Sequence, residues 1–210
     1  MKKSILILFL LISIPLMAQM NYGIKAGLTS SNQTWEYTPK FAKSGETTPR
    51  STMNLGIFAE YADDKYVSVL AELNYHQKGA NIKMDYTGRD TSGTIIVPKD
   101  LEHKLAYLNV SLLGKVRYQV GFFTPYILGG VKTDYQISNK LDDIDLGHIA
   151  EDATKQIWGA VIGAGFEIKD LLPLVLLAEV RYEFDFNKLY VEDTFQFKSD
   201  TIEFRIGIKF

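Results

Sequence analysis

Apolar and polar residues alternate in runs along most of this chain beyond its first twenty residues. The last nine, Ile202-Glu203-Phe204-Arg205-Ile206-Gly207-Ile208-Lys209-Phe210, show the pattern most clearly, with a large apolar side chain at every second place and Glu, Arg, Gly and Lys between. A period of two belongs to a strand with one apolar and one polar face. Read this way, the chain gives eight strands, near 21–30, 52–62, 65–78, 104–120, 123–137, 155–168, 174–187 and 200–210. In the second, Leu55, Ile57, Ala59 and Tyr61 share one face, and Asn54, Gly56, Phe58 and Glu60 the other. In the third, Val67, Val69, Ala71, Leu73 and Tyr75 oppose Ser68, Leu70, Glu72, Asn74 and His76. The seventh sets Leu176, Ala178, Val180, Tyr182, Phe184 and Phe186 against Glu179, Arg181, Glu183 and Asp185. Such segments are long for soluble strands but suit a tilted membrane crossing of about 9–11 residues.

The connections alternate in length. Short turns at Ala62-Asp63-Asp64, Gln119 to Phe122 and Lys169 to Pro173 separate long polar segments. This predicts an all-β fold: an eight-stranded antiparallel up-and-down transmembrane β-barrel with short periplasmic turns and long external loops, apolar face toward lipid. Both termini then lie in the periplasm. Aromatic residues fall at both strand ends, where rings with a polar edge favour the headgroup layer. Tyr22, Tyr61, Tyr66, Tyr118, Phe122, Phe123, Phe166 and Phe210 form the expected periplasmic girdle, and Tyr75, Tyr135, Trp158, Phe184 and Phe186 the outer one.

The N-terminus changes the picture by adding export. Lys2 and Lys3 precede an apolar run from Ile5 to Leu16, and Met17-Ala18-Gln19 offers a cleavage point after Ala18, so residues 1–18 read as a signal peptide and 19–210 as the barrel domain. The apolar run is shorter than the about 20 residues of a spanning helix. Without Lys2 and Lys3, the 23 basic side chains become 21 against 25 acidic ones. That mildly acidic balance, with no basic stripe, argues against nucleic acid as a partner. The absence of cysteine excludes a lipid-anchored lipoprotein, disulfides and thiolate chemistry.

Several segments carry a family likeness. Ala71-Glu72-Leu73-Asn74-Tyr75-His76-Gln77-Lys78-Gly79, Tyr107-Leu108-Asn109-Val110-Ser111-Leu112-Leu113-Gly114-Lys115 and Pro125-Tyr126-Ile127-Leu128-Gly129-Gly130, with Gly159 to Glu167 and Ala178-Glu179-Val180-Arg181-Tyr182, resemble strands of the PorT-like outer-membrane β-barrel family of Bacteroidetes. The resemblance spans nearly the whole mature chain, with Ser111 standing where the family pattern has a proline. It implies the barrel architecture and, through the family's namesake, a link to a protein-secretion apparatus.

The polar faces supply the candidate chemistry. Glu60, Glu72, Lys115, Arg117, Glu167, Glu179, Arg181, Glu183, Asp185, Glu203, Arg205 and Lys209 are expected to point inward. An eight-stranded barrel is only wide enough for its own side chains, so a network of compensating ion pairs is expected rather than a conduit. Gly23, Gly27, Gly56, Gly163, Gly165 and Gly207 are expected to make room for the long charged side chains. A narrow solute channel and a soluble lipocalin-like ligand-binding barrel are the alternatives. No catalytic, cofactor or metal residues are assigned. The histidines are His76, His103 and His148; His76 and His103 are read as surface polar residues that could meet near the outer rim, and no serine sits beside His103 at a spacing that would place both on one strand face, as a nucleophile would. Asp142, Asp143, Asp145, Glu151 and Asp152 form an acidic third loop without EF-hand spacing. The second loop, from Ala80 to Lys99, reads as a projecting hairpin with its tip at Thr87 to Gly93, a surface for a protein partner. Outer-membrane lipid, lipopolysaccharide and the barrel-assembly machinery, reading Phe210, complete the expected partners.

Overall fold

The computed structural model describes residues 20–37, 47–62, 65–82, 88–89, 95–96, 101–141, 144–145, 155–169, 174–186, 191–192 and 195–210. Eight long strands carry the architecture: β1 (Met20–Tyr37), β2 (Thr47–Tyr61), β3 (Val67–Ile82), β4 (Leu101–Arg117), β5 (Phe123–Leu141), β6 (Gln156–Ile168), β7 (Val175–Asp185) and β8 (Phe195–Lys209). Each pairs antiparallel with its neighbour in sequence, and β8 returns to β1 from Gly23↔Lys209 to Tyr37↔Phe195. The sheet therefore closes into an eight-stranded barrel. Closure matters physically, because an open edge in lipid would leave a row of backbone donors and acceptors unpaired.

The stagger follows from the register. From Glu60, the paired residues run through Leu70, Leu113, Gly130, Val161, Glu183, Thr201 and Ser31 and come back to β2 at Arg50, ten residues from the start. A closed barrel with such a shift has strands tilted by about 35–45°.

Side chains separate by parity. Ile57, Leu112, Ile127, Val131, Ile162 and Ile206 are exposed on the outer wall, whereas their neighbours in sequence line the interior. In water so much exposed aliphatic surface would be costly, at roughly 25 cal/mol per Å². In hydrocarbon it is the stable arrangement. A soluble ligand-binding barrel needs the opposite polarity, and that alternative is corrected here.

The turn between β4 and β5 is tight. Val120 and Phe123 exchange backbone hydrogen bonds of 2.8 and 3.1 Å around Gly121, whose φ of 60° suits a residue without Cβ. At the same rim Arg117 N–H donates to Tyr66 O, Lys169 N–H to Phe122 O and Phe210 N–H to Tyr22 O, each within 2.9 Å. Tyr22, Tyr66, Tyr118, Phe122, Phe123, Phe166 and Phe210 are exposed there and Tyr61 is half-buried. The Phe123 and Phe166 rings lie 5.1 Å apart. Toward the loop end stand exposed Tyr75, Tyr135 and Trp158, and a ladder of Tyr182, half-buried Phe184 and Phe186 with ring centroids 6.2 and 5.8 Å apart.

The strands overrun the alternating segments on the loop side. β1 continues to Tyr37 rather than ending at 30, β3 to Ile82 and β5 to Leu141, while β8 begins at Phe195. In the second loop, Gly88–Arg89 pairs antiparallel with Ile95–Ile96, a hairpin ladder; Thr87 and 90–93 lie outside the described residues. Outside them too lie residues 1–19, His148, Asp142, Asp143, Glu151 and Asp152. Asp145, beside them, pairs through its backbone with Lys140 of β5.

Candidate functional site

Inward parity brings charged residues of all eight strands onto one axis, where they settle into three groups. Nearest the short turns, the Glu60 carboxylate (β2) accepts from Ser68 Oγ at 2.6 Å, Lys115 Nζ at 2.7 Å, Lys209 Nζ at 3.0 Å and Arg117 Nη1 at 3.2 Å. Glu167 (β6) shares the same two lysines, each at 2.7 Å. Lys169, in the turn, stands 4.0 Å from Glu167; partial burial lowers its pKa from the ordinary lysine value, against the opposing pull of that carboxylate.

The middle group centres on Glu72 of β3. Arg181 of β7 grips it with two nitrogens at 2.6 and 2.7 Å, Lys25 of β1 adds a bond of 2.7 Å, and Arg205 of β8 lies 3.6 Å away. Glu179 forms an ion pair with Arg181 at 2.8 Å and accepts from Lys25 Nζ at 3.2 Å and the Tyr126 hydroxyl at 2.9 Å. Arg205 also donates to Asn74 Oδ1 at 3.0 Å and meets Glu203 at 2.5 Å.

The third group lies toward the loops. Asp134 of β5 accepts from Lys78 at 2.7 Å, Lys132 at 2.8 Å and Asn109 Nδ2 at 2.5 Å. Lys132 reaches on to Glu183 at 2.9 Å and Asp185 at 2.8 Å.

Apolar side chains fill what the ion pairs leave. Phe58, Leu70, Leu113, Tyr126, Leu128, Val161 and Leu177 pack inside the wall, and Leu105, Tyr107 and Ile157 form a second buried cluster toward the loops. Three lysines lie over rings: Lys25 over Phe58 at 4.6 Å, Lys115 over Tyr126 at 4.7 Å and Lys78 over Tyr107 at 5.6 Å. An ammonium whose charge is shared between carboxylates and a π face is tolerable away from water.

Among the described residues the buried charges balance. Glu60, Glu72, Asp134, Glu167, Glu179, Glu183, Asp185 and Glu203 face Lys25, Lys78, Lys115, Lys132, Arg181, Arg205 and Lys209. Arg117, at the rim with its side chain 10% exposed, makes the eighth cation. His76 is left over, and here the structure corrects the sequence reading. It is fully buried, with Nε2 3.5 Å from Asp134 and Nδ1 3.4 Å from Glu203. His103 stands opposite Ala80, four positions along β3, so the two histidines are not cross-strand partners.

His76, Asp134 and Glu183 place one donor atom each within 4.8 Å of one another, as a metal site would. The Lys132 ammonium, however, already sits on Asp134 and Glu183 and balances their charge, with Lys78 beside it. A divalent cation would have to displace one of these lysines, so the donor set fits an ion-pair core better than a metal.

Every charged residue expected to face inward is buried or, for Arg117, at the rim. The inward charges expected from the sequence did not include Lys25, Lys78, Lys132 and Asp134, and His76, on the face of Glu72, was expected at the surface. Parity was the available signal: Lys25 lies between Gly23 and Gly27, and His76 and Lys78 continue the face of Glu72 and Asn74. The glycines serve more varied ends than expected. A Cβ at Gly163 would crowd Arg181 Cγ at 3.1 Å and one at Gly207 would crowd Lys25 Cγ at 2.9 Å. Gly165 instead admits the Tyr126 ring, Gly23 the Phe58 ring and Gly56 the Asn74 amide, while Gly27 lies against the backbone of Phe204 and Arg205.

Solved structures share this architecture. The outer membrane protein OprG from Pseudomonas aeruginosa is 16% identical, with 90% of this chain and 95% of that one covered and a TM-score of 0.53. Neisserial surface protein A is 10% identical, covers 90% and 95% of the two chains and has a TM-score of 0.50. At these identities the likeness is one of fold. Among curated proteins no sequence match was found. A family model described as "Outer membrane protein beta-barrel domain" matches residues 13–191. The lipid-facing exterior, the closed sheet and this match together indicate the outer membrane, and the chain belongs to the outer membrane protein beta-barrel domain family.

Proposed function

We propose that this chain is a non-enzymatic structural or protein-interaction component of the outer membrane, with a closed lumen and its external hairpins as the working surface. The observation that carries this reading is the interior itself, where mutually paired charges and the Leu105–Tyr107–Ile157 cluster fill the width of the barrel. A conduit needs water along its axis, and carboxylates such as Glu72, Asp134 and Glu167, each held by two cations at under 3 Å, do not offer it. Nor does the interior resemble a hydrolytic centre, since neither nitrogen of His76 hydrogen-bonds a hydroxyl. The finer parts of the proposal rest on the sequence: residues 1–18 as a cleaved signal peptide, Phe210 as the mark read by the barrel-assembly machinery, and PorT-like kinship with a tie to a secretion apparatus.

Planar-bilayer recording of the purified, folded protein tests the closed lumen. The expected trace is flat at any voltage the bilayer tolerates. Reproducible conductance steps would overturn the reading in favour of a narrow solute channel.

A further inference from the structure

The three charge groups do not balance one by one. Nearest the short turns, Glu60 and Glu167 face Lys115, Lys209 and Arg117. In the middle, Glu72, Glu179 and Glu203 match Lys25, Arg181 and Arg205. Toward the loops, among the described residues, Asp134, Glu183 and Asp185 share Lys78 and Lys132 and are one positive charge short. The surplus cation, Arg117, sits on Glu60, which pairs in register with Leu70, six residues and about 20 Å along β3 from His76. Over that distance its pull is about a sixth of that of a charge 3.5 Å away, in the same medium. The loop-side group therefore draws its missing charge from nearer by.

His76 stands at that place. On β3 the girdle residues are Tyr66 and Tyr75, so His76 lies just past the span, inside the wall and fully buried. Its Nε2 is 3.5 Å from Asp134 Oδ1 of β5, and its Nδ1 is 3.4 Å from Glu203 Oε1 of β8. Glu183 of β7 brings a third carboxylate within 4.8 Å of the ring nitrogen and the Asp134 oxygen. The other charged groups around it are Lys78 of its own strand, Lys132 of β5, Asp185 of β7, and Arg205 behind Glu203. Its cross-strand partners are Asn54 of β2 and Tyr107 of β4, whose ring meets the imidazole edge-on at 6.0 Å. From β1 the Thr29 hydroxyl donates at 3.1 Å to the same Glu203 oxygen that His76 faces. A neutral imidazole has one N–H and one bare lone pair. Whichever nitrogen carried the hydrogen, the other would turn its lone pair toward a carboxylate oxygen. The imidazolium presents an N–H to both.

We infer that His76 is a proton-binding latch: it stands as an imidazolium in the folded barrel at neutral pH, ties β3 to Asp134 of β5 and Glu203 of β8, and weakens the barrel when an alkaline medium removes its proton. Three strands that are not all neighbours in the sheet then depend on one proton. With the proton gone, the Asp134, Glu183 and Asp185 carboxylates keep two lysines between them, and Asp134 and Glu203 face a ring that can donate to one of them at most.

The test is magnetic resonance of the nitrogen-15-labelled full chain folded in micelles, carrying His103→Gln and His148→Gln so that His76 is its one histidine. At about pH 7.5 an exposed histidine, titrating near about 6.5, is neutral in about nine molecules of ten. His76 is expected instead to show two ring nitrogens of near-equal shift, each bonded to hydrogen. One protonated and one bare nitrogen at that pH overturns the inference. Urea unfolding reads the consequence. The unfolded chain gives up the histidine proton before the folded barrel does, so the stabilisation is fully present below about pH 6.5 and is lost as the pH rises through the folded barrel's own titration. Between about pH 7 and 8 the folding equilibrium of the wild type is expected to fall about tenfold further than that of His76→Gln. Parallel curves for the two overturn the inference. Should His76→Gln lack the faster unboiled band of a folded barrel, the ring spectrum decides alone.

Discussion

Glu72 is held by two nitrogens of Arg181 and by Lys25, and each of those cations has Glu179 as a second partner. The two sides of the cluster are therefore not equivalent. Glu72→Gln keeps the shape but leaves Arg181 with one carboxylate and strips charge from beside Arg205, so it should cost about 3–5 kcal/mol, the usual result of breaking a buried pair. Lys25→Met leaves both carboxylates on Arg181 and should cost less than half as much. Urea unfolding in micelles would measure both, and equal losses would show that the cluster is not organised on Glu72. The adjacent glycines of β5 allow a sharper contrast. A Cβ on Gly130 would meet Leu113 Cα at 2.8 Å as well as Leu112 O, both backbone, whereas on Gly129 its nearest neighbour is Val161 O at 3.5 Å. Gly130→Ala should therefore destabilise by about 1–3 kcal/mol and Gly129→Ala by under about 0.5 kcal/mol. The same β5 stretch shows why part of the site escaped the sequence. Tyr126, Leu128 and Gly130 point inward beside Lys132 and Asp134, so the inner face there looks as apolar as the outer one, and the two charges do not stand out. On β7, where Glu179 to Asp185 alternate without interruption, the face was legible at once.

At the scale of the strand, alternation reveals the part of each element that touches lipid and little else. In β7 the alternating run and the observed strand agree within two residues, because Val175–Asp185 is little longer than one membrane crossing. In β1 the run ends near Ser30 while the ladder continues to Tyr37, paired with Phe195. Asn32, Gln33 and Thr34 are all polar, so the sequence shows no alternation there, yet backbone pairing goes on. The bulges after Pro49 and at Ala106/Tyr107 were not legible either, since they depend on where neighbouring strands lie. Closure between the first and last strands, by contrast, was implied by the need to leave no edge in lipid. It makes a definite prediction: Ala26 and Ile206 are direct cross-strand partners, both on the outer wall. Their Cα atoms then lie about 4.5–5.5 Å apart, within disulfide range. In a chain without cysteine, Ala26→Cys with Ile206→Cys should oxidise to a single intramolecular disulfide. The boiled, unreduced protein should then migrate faster than the reduced one. Failure to cross-link under oxidant would mean that β1 and β8 are not neighbours.

For the whole molecule the question is whether an interior with so many charges behaves as protein core or as solvent. Fifteen buried ionic side chains lie under 6% exposed, and their partners are other buried groups. Ions in solution screen charges over about 10 Å at 0.1 M salt and about 3 Å at 1 M, but only where water reaches them. If the apolar cluster of Leu105, Tyr107 and Ile157 and the paired charges exclude water, raising the salt leaves the network untouched. The melting temperature in micelles should then move by less than about 3 °C between 0.05 and 1 M NaCl, equivalent to about 1 kcal/mol for a chain of this size. A water-filled lumen predicts otherwise, because each hydrated pair would weaken with salt and the losses would sum over three groups. A fall of more than about 10 °C, again on the scale of a few kcal/mol, would identify the interior as wet. The same lumen would then be expected to pass ions in a bilayer, so the thermal and electrical measurements must agree. Arg117 and Lys169, at the rim, are the charges that salt should reach first. Exchanging Lys169 for Gln should reduce what small salt dependence the wild type has, without lowering its stability at high salt.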